Sequence, residues 1–252
     1  MPKLSIICPG IRNEYWIRLY NTITHSCKEH DFELIFCGPK PLPPELTNVF
    51  NIKYIKDYGC PSRAFQLGLL VAEGEYTTWA CDDCLALEDA IDSALYQVQE
   101  LSDIDIVGMR YSEGPGFRAA PHADNYYISG THDDLRIPGV DPNWMTPCIF
   151  LMKTDYYHYL GGLDCRFEHL NMNVHDMGFR AQMNGSICQM SHAHVYAADF
   201  TMGRTQENCP VLQAFYENDK PLFIDKYSKP VDIRINLNNW KSCDQIWKRR
   251  SY

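Results

Sequence analysis

No stretch of this 252-residue chain comes near the roughly 20 consecutive apolar residues that a membrane-spanning helix requires. The first apolar run, Leu4 to Cys8, is too short for the core of a secretory leader and lacks the flanks of one. Basic residues are in short supply as well: 23 Lys and Arg stand against 32 Asp and Glu, a net charge of -9. Phosphate backbones select basic surfaces, so nucleic acid is excluded as the main partner. Internal repeats and low-complexity tracts are absent too. With 45% hydrophobic and 22% charged residues the chain is globular, not disordered, and long enough to bury a substantial core. Cysteine is plentiful, yet its 11 copies are odd in number and irregularly spaced, which fits no disulfide framework. Free thiols in a reducing cytoplasm are the expectation. Asn184-Gly185-Ser186 matches a glycosylation sequon, which carries little weight without a secretion signal.

The first half alternates strand and helix signals. Leu4 to Cys8 is a continuous apolar run stopped by Pro9-Gly10, as in a strand buried on both faces. Trp16, Leu19, Tyr20, Ile23 and Cys27 share one helical face, with Asn13 as the expected cap. Phe32 to Cys37 and Ile52 to Ile55 read as strands. Phe65, Gly68, Leu69 and Ala72 repeat at helical spacing behind Ser62, a second expected cap. Tyr76 to Ala80 is the next strand, and Ile91 to Val98 the next helix. This order predicts a doubly wound, mostly parallel sheet. Later strands are expected at Ile104 to Met109, Cys148 to Met152 and Ile187 to Met190. Residues from Ser112 to Trp144 are rich in Gly, Pro, Asp and His without any period, and a loop of that length is usually functional. Asn236 to Tyr252 is expected to form a terminal helix carrying Trp240, Trp247 and the run Lys248-Arg249-Arg250.

The stretch Gly74 to Cys84, GEYTTWACDDC, is the most informative. A strand there runs into two adjacent carboxylates, Asp82 and Asp83, and α/β proteins bind ligands at the carboxyl ends of such strands. Paired acids on a turn suit a divalent cation with oxygen ligands, although a solvated acidic turn has the same composition. Cys81 and Cys84 flank the acids at C-x-x-C spacing. A zinc site would need two further ligands, and the acids oppose thiolate redox chemistry, so buried structural cysteines are the plainer reading.

Four segments, taken in order, resemble the family-two group of GT-A glycosyltransferases, which use nucleotide-activated sugars. SIICPGIRNE resembles the opening strand and nucleotide-binding loop, and SRAFQLGLLVAEGEYTTWACDDC the helix, strand and acidic metal motif. LGGLDCRF resembles the acceptor-side turn, and HDMGFR the segment that carries the catalytic base. The resemblance covers about residues 3 to 200. It implies an α/β GT-A fold in a single domain: a nucleotide-sugar half at 1–110, an acceptor and catalytic half at 111–205, and a helical extension at 206–252.

It also implies an inverting transfer from a nucleoside-diphosphate sugar, UDP-linked by preference, to a hydroxyl acceptor such as a glycan, assisted by Mn²⁺ or Mg²⁺. Asp83 is the expected metal ligand, joined by His194 or His192, and Asp82 faces the ribose or the metal shell. Both histidines are equally read as surface or core residues. Pro9, Gly10, Arg12 and Arg63 are expected against the nucleotide or its diphosphate. Asp176 is the expected general base, since an acceptor hydroxyl must lose its proton as it attacks; an acid favoured at a helix start is the other reading. Gly162, Asp164, His175 and Trp144 are expected on the acceptor side. The basic terminal helix could touch an anionic membrane or pack on the domain.

Several positions depart from the resembling pattern. Cys81 stands where an acid or Asn is common, CGPK at Cys37 to Lys40 replaces an acidic turn, and His175 replaces a Glu. Two other readings follow: a binding module of the same fold without catalysis, and a sugar-phosphate nucleotidyltransferase. The latter usually carries a Gly-rich, basic signature after the first strand, which PGIRNE does not supply.

Overall fold

A computed structural model describes residues 1–113, 149–197 and 213–243. The first apolar run forms β1 (Leu4–Pro9), followed by α1 (Trp16–Ser26), β2 (Phe32–Gly38), β3 (Ile52–Lys56) and α2 (Pro61–Leu69). Next come β4 (Tyr76–Trp79), a short β5 (Cys84–Ala86), α3 (Ala90–Gln99) and β6 (Ile106–Glu113). The chain continues with β7 (Ile149–Lys153), α4 (Thr154–Leu160), α5 (Leu170–Met183) and β8 (Cys188–Ala197), and then α6 (Lys220–Tyr227) after one π-helical turn.

The strands make one eight-stranded sheet in the order β3-β2-β1-β4-β7-β6-β8-β5. The β1–β2, β1–β4, β2–β3 and β6–β8 pairs are parallel. The β4–β7, β6–β7 and β5–β8 pairs are antiparallel, so the sheet is mixed. β6 spans the expected boundary at residue 110 and pairs on both sides, which binds the two halves into one sheet.

Every residue of β2 is buried, as its unbroken apolar run requires of a strand covered on both faces. Ile6, Thr78 and Ile149 meet Leu19 and Ile23 of α1 and Ile91 of α3 on one side. On the other, Phe150 stacks with Tyr157 of α4, which in turn meets Phe65 of α2. Strand alternation puts Ile149 and Phe150 on opposite faces, so helices cover both sides of the sheet.

Two expected caps take other roles. The Asn13 amide donates to the Pro41 carbonyl at 2.9 Å instead of closing a helix end. α2 begins at Pro61 behind Cys60, and Ser62 Oγ accepts from Asn173 Nδ2 at 2.6 Å. Pro at the first helical position needs no hydrogen-bonded N–H, so the helix starts without a polar cap.

The terminal helix expected from Asn236 is, over its described part, one 3-10 turn at Asn239–Ser242. Asn239 spends its side chain on backbone, donating to Leu163 O at 3.0 Å and accepting from Cys165 N at 2.8 Å. Asparagine that bonds the main chain in this way competes with helix formation. Residues 228–243 therefore lie as a belt across α2 and the turn before α5. Among the described residues no helix is long and apolar enough to cross a membrane.

Candidate functional site

The site grows from two turns at the carboxyl ends of neighbouring parallel strands. After β1, Gly10 N donates to Cys37 O at 3.0 Å, and a side chain at Gly38 would strike Gly10 O at 1.9 Å. Only glycine lets the ends of β1 and β2 close so tightly. This fixes the loop that follows Pro9 and Gly10, and Arg12 on it reaches the acid turn after β4.

Arg12 engages both acids. The backbone N–H groups of Ile11 and Arg12 donate to Asp82 Oδ2 at 2.9 and 2.8 Å. Arg12 Nε and Nη2 both donate to Asp82 Oδ1, the former at 2.8 Å. Nη1 donates to Asp83 Oδ2 at 3.0 Å. Burial of Arg12 opposes its charge, but Asp82 and Asp83 outweigh that and hold the guanidinium protonated. Burial pushes the Asp82 carboxyl above its usual value, against the pull of Arg12. With both oxygens taken from the β1 loop, Asp82 braces the loop and is not turned toward a ribose or a metal.

Asp83 gives only one oxygen to Arg12. Its carboxylate and the sulfurs of Cys81 and Cys84 all lie within 4.8 Å of one another. Asp83 and Cys84 are buried, and Cys81 is half-buried. The hydrogen bond with the neighbouring Cys84 thiol, with burial and then the acids, raises the Cys81 thiol well above the usual range. Mn²⁺ and Mg²⁺ seek several oxygen ligands, and one carboxylate beside two sulfurs fits them poorly. The set suits a thiophilic divalent cation better. The cysteines, read from the sequence as structural, belong to the candidate metal cluster.

His192 and His194 lie on β8, whose end pairs with β5: Cys84, Leu85 and Ala86 sit opposite Ala197, Tyr196 and Val195. The backbone of β8 thus arrives beside the strand that follows the acids. Ser191, Ala193 and Val195 are buried, and the two histidines occupy the alternating positions.

The acceptor-side residues behave differently. Gly161 and Gly162 adopt φ of +85° and +73°, and a side chain at Gly162 would meet Gln66 Oε1 at 2.2 Å. Gln66 clamps the turn, accepting from Leu163 N at 2.8 Å and donating to Gly161 O at 3.0 Å and Leu237 O at 2.7 Å. Its role was not legible beforehand, because only the fold brings its partners 95 and 171 residues away into reach. Asp164 accepts from Arg166 Nε at 2.9 Å and from Lys226 Nζ at 3.0 Å. Burial opposes its charge, yet Arg166 and Lys226 hold the carboxyl well below the usual range.

Asp176, expected as the general base, is 0% exposed. Its Oδ2 accepts from Arg180 Nε at 2.8 Å, and its Oδ1 from Lys226 Nζ and, at 3.0 Å, from Tyr227 OH. Arg180 also donates to Leu160 O at 2.7 Å and Gly162 O at 2.6 Å. Burial alone would raise the Asp176 carboxyl, but Lys226 and Arg180 bring it below its usual value. In this arrangement both carboxylate oxygens are engaged, and the acid holds Arg180, which ties α5 to the Gly162 turn.

His175 is buried with Phe179 and Phe223, and the Phe223 ring meets its own edge-on at 6.4 Å. Arg63 is likewise committed elsewhere. It bonds Asp57 through Nε at 3.0 Å and Nη2 at 3.0 Å, donates to Trp240 O at 2.6 Å and Cys243 O at 3.0 Å, and lies over the Trp240 ring. Four of its five N–H donors are thus engaged, two of them by the belt. Trp144, most of the long Ser112 to Trp144 segment and the basic run after Trp247 lie outside the described residues.

A mixed sheet between helix layers, with an acid turn at the carboxyl edge of its parallel half, is the GT-A architecture of glycosyltransferases. The chain is similar in structure to TarS of S. aureus, at a TM-score of 0.52 and 14% identity, over 78% of this chain and 35% of that one. TarS 1-349 in complex with UDP gives the same score and identity, with 58% of that chain covered. The catalytic domain of Drosophila beta1,4galactosyltransferase 7, in complex with xylobiose, matches at a TM-score of 0.54 and 12% identity, over 95% of this chain and 84% of that one. The chain thus spans about a third of TarS and over half of its 1-349 fragment. At these identities the likeness establishes the fold. No family model matches the sequence, and no curated protein is similar to it.

Proposed function

We propose that the protein is a glycosyltransferase that moves a sugar from a UDP-linked donor to a hydroxyl acceptor, with glycans as the acceptor class. The observation that carries this reading is the Arg12–Asp82–Asp83 junction, which ties the β1 loop to the acid turn where the parallel strands end. In this fold that edge is where a nucleotide would lie. The UDP complex of a structural neighbour and the xylobiose complex of another support the donor and acceptor classes.

Within that reading, Asp82 sets the loop and Asp83 directs its second oxygen to the donor side. A divalent cation held there would neutralise the departing diphosphate. The acceptor hydroxyl attacks the anomeric carbon directly, which inverts its configuration. The Gly161-Gly162 turn, held by Gln66 and Arg180, shapes the acceptor side. Asp176 supports that turn, and it serves as a base only if Lys226 withdraws from it. The enclosure of Asp176 also supports a second reading, a nucleotide-sugar-binding module without turnover.

Calorimetry with a panel of nucleotides and divalent cations, followed by a donor-hydrolysis and transfer assay, tests the proposal. UDP binding with turnover, and a new glycosidic bond inverted by NMR, is the expected result. UDP binding without turnover on any UDP-sugar would leave the binding module. No nucleotide binding at all would overturn both.

A further inference from the structure

Three features remain after the donor edge and the Asp176 network are assigned. One is a thiol cluster of Cys60 and Cys243, with sulfurs 4.0 Å apart and Cys165 nearby. Another is the exposed Phe50. The third is the sulfur pair beside Asp83, and it carries the most, because two sulfurs and a carboxylate oxygen lie close together on one turn.

We propose that Cys81, Asp83 and Cys84 form the inner ligand set of a thiophilic divalent cation, of the Zn²⁺ class, with open positions facing the donor edge. The proposal rests on the glycosyltransferase reading only for what fills those open positions, the donor diphosphate.

Geometry supplies the first support. The three ligand atoms lie within 4.8 Å of one another on a single turn. A tetrahedral ion with metal–sulfur bonds of about 2.3 Å sets its sulfurs roughly 3.8 Å apart. The donors therefore need to close by about 1 Å at most, within reach of side-chain rotation. Three protein ligands and a vacant fourth position are the usual form of a catalytic zinc site.

Charge supplies the second. Arg12 compensates one of the two adjacent acids, so Asp82 and Asp83 together leave a single net negative charge for a dication. Two thiolates raise that to three, enough to hold the dication and leave the turn anionic by one. Without the sulfurs, a hard cation would share one carboxylate with a guanidinium at 3.0 Å. Coordination removes the thiol protons outright, and thiolate donors select zinc-like ions over magnesium-like ones.

The whole chain, stripped of metal by a chelator and kept reduced without oxygen, is titrated with Co²⁺. One equivalent should bind with a thiolate-to-cobalt band in the near ultraviolet. Zn²⁺ should displace it, and a large excess of Mg²⁺ should not. Cys81→Ser should cut the band by about half and Asp83→Asn should weaken Co²⁺ binding by about tenfold or more. Cys60→Ser, which disrupts the other thiol cluster, should leave the band unchanged. Cys81 is half-buried, so its variant decides the matter even if Cys84→Ser fails to fold. A band left at full strength by Cys81→Ser, or one that vanishes with Cys60→Ser, overturns the proposal, as does Co²⁺ binding without any thiolate band or no binding.

UDP is titrated into the same samples. UDP binding with Mn²⁺ and no thiolate band defeats the sulfur ligands and spares the functional reading. A cobalt–thiolate site that binds no nucleotide does the reverse.

Discussion

Among the described residues, two of the acid pairs that a cation bridges belong to the candidate site, and they are built to opposite ends. Where β1 and β4 end, Arg12 spans Asp82 and Asp83, its side chain is 30% exposed, and the Asp83 carboxylate lies within 4.8 Å of the sulfurs of Cys81 and Cys84. Beneath the Gly161-Gly162 turn, Lys226 spans Asp164 and Asp176, while Arg166, Arg180 and Tyr227 take what remains of both carboxylates. The same residue types make an unsaturated site in one place and a saturated joint in the other. Coordination capacity left over, more than charge or burial, separates a group that can act on a ligand from one that holds the fold.

Several variants would sharpen or break that contrast. Asp176→Asn should have the largest effect and should act on stability. It leaves Arg180 buried with its main charge partner gone, and losing one member of a buried pair costs about 3–5 kcal/mol. Urea unfolding should report that loss, with transfer per folded molecule little changed. A stable variant with transfer down by roughly 10²-fold would instead make Asp176 the base and undo the contrast.

Asp83→Asn should behave the other way. Loss of a group that stabilises the developing charge lowers turnover by about 10²-fold or more, and the unfolding midpoint should barely move.

A pH series separates buried acids by sign. Asp164 and Asp176 are held below their unfolded values, so the stability they give is present above about pH 4 and is lost as pH falls below it. Asp219 is the opposite case. Burial pushes it to about 6, even though it accepts from the backbone of Glu168 and His169. The folded state holds its proton longer, so stability should fall by about 2 kcal/mol as pH rises from 4 to 6. In Asp219→Asn that falling limb should disappear from the pH profile of thermal unfolding.

Arg63→Lys should be the mildest, at about 1–2 kcal/mol, since a lysine keeps the charge but not the forked contact with Asp57. Donor affinity by calorimetry should not change. A tenfold loss of UDP affinity would return Arg63 to the diphosphate.

The sequence was most readable where local pattern and fold agree. Apolar runs closed by Pro-Gly or Gly-Pro gave β1 and β2 within a residue of their observed ends. The strand ending in Asp82-Asp83 also stands where the alternation put it. Partners of charged residues were not readable. Asp176 looks the same in sequence whether a hydroxyl or Lys226 faces it, and Lys226 comes from 50 residues downstream. Arg63 was assigned to a diphosphate because its clasp to Trp240 spans 177 residues and leaves no local trace. The C-x-x-C pair was set aside for lack of further ligands, because local spacing does not show that Asp83 turns toward both sulfurs.

The belt at residues 228–243 also sets an order of events during synthesis. Gln66, Arg63 and Arg180 are each completed by carbonyls of this late segment, at Leu237, Trp240 and Ile233. Until it emerges, the nascent chain holds an α/β core whose Gly161-Gly162 turn is unfinished, with two guanidiniums and an amide short of partners that their buried positions demand. Such distant closures slow the final step of folding. A growing chain therefore gains its parallel strands early and the Gly161-Gly162 turn last, so a shorter product ending before residue 233 would be exposed to chaperones and proteases through that one unfinished turn.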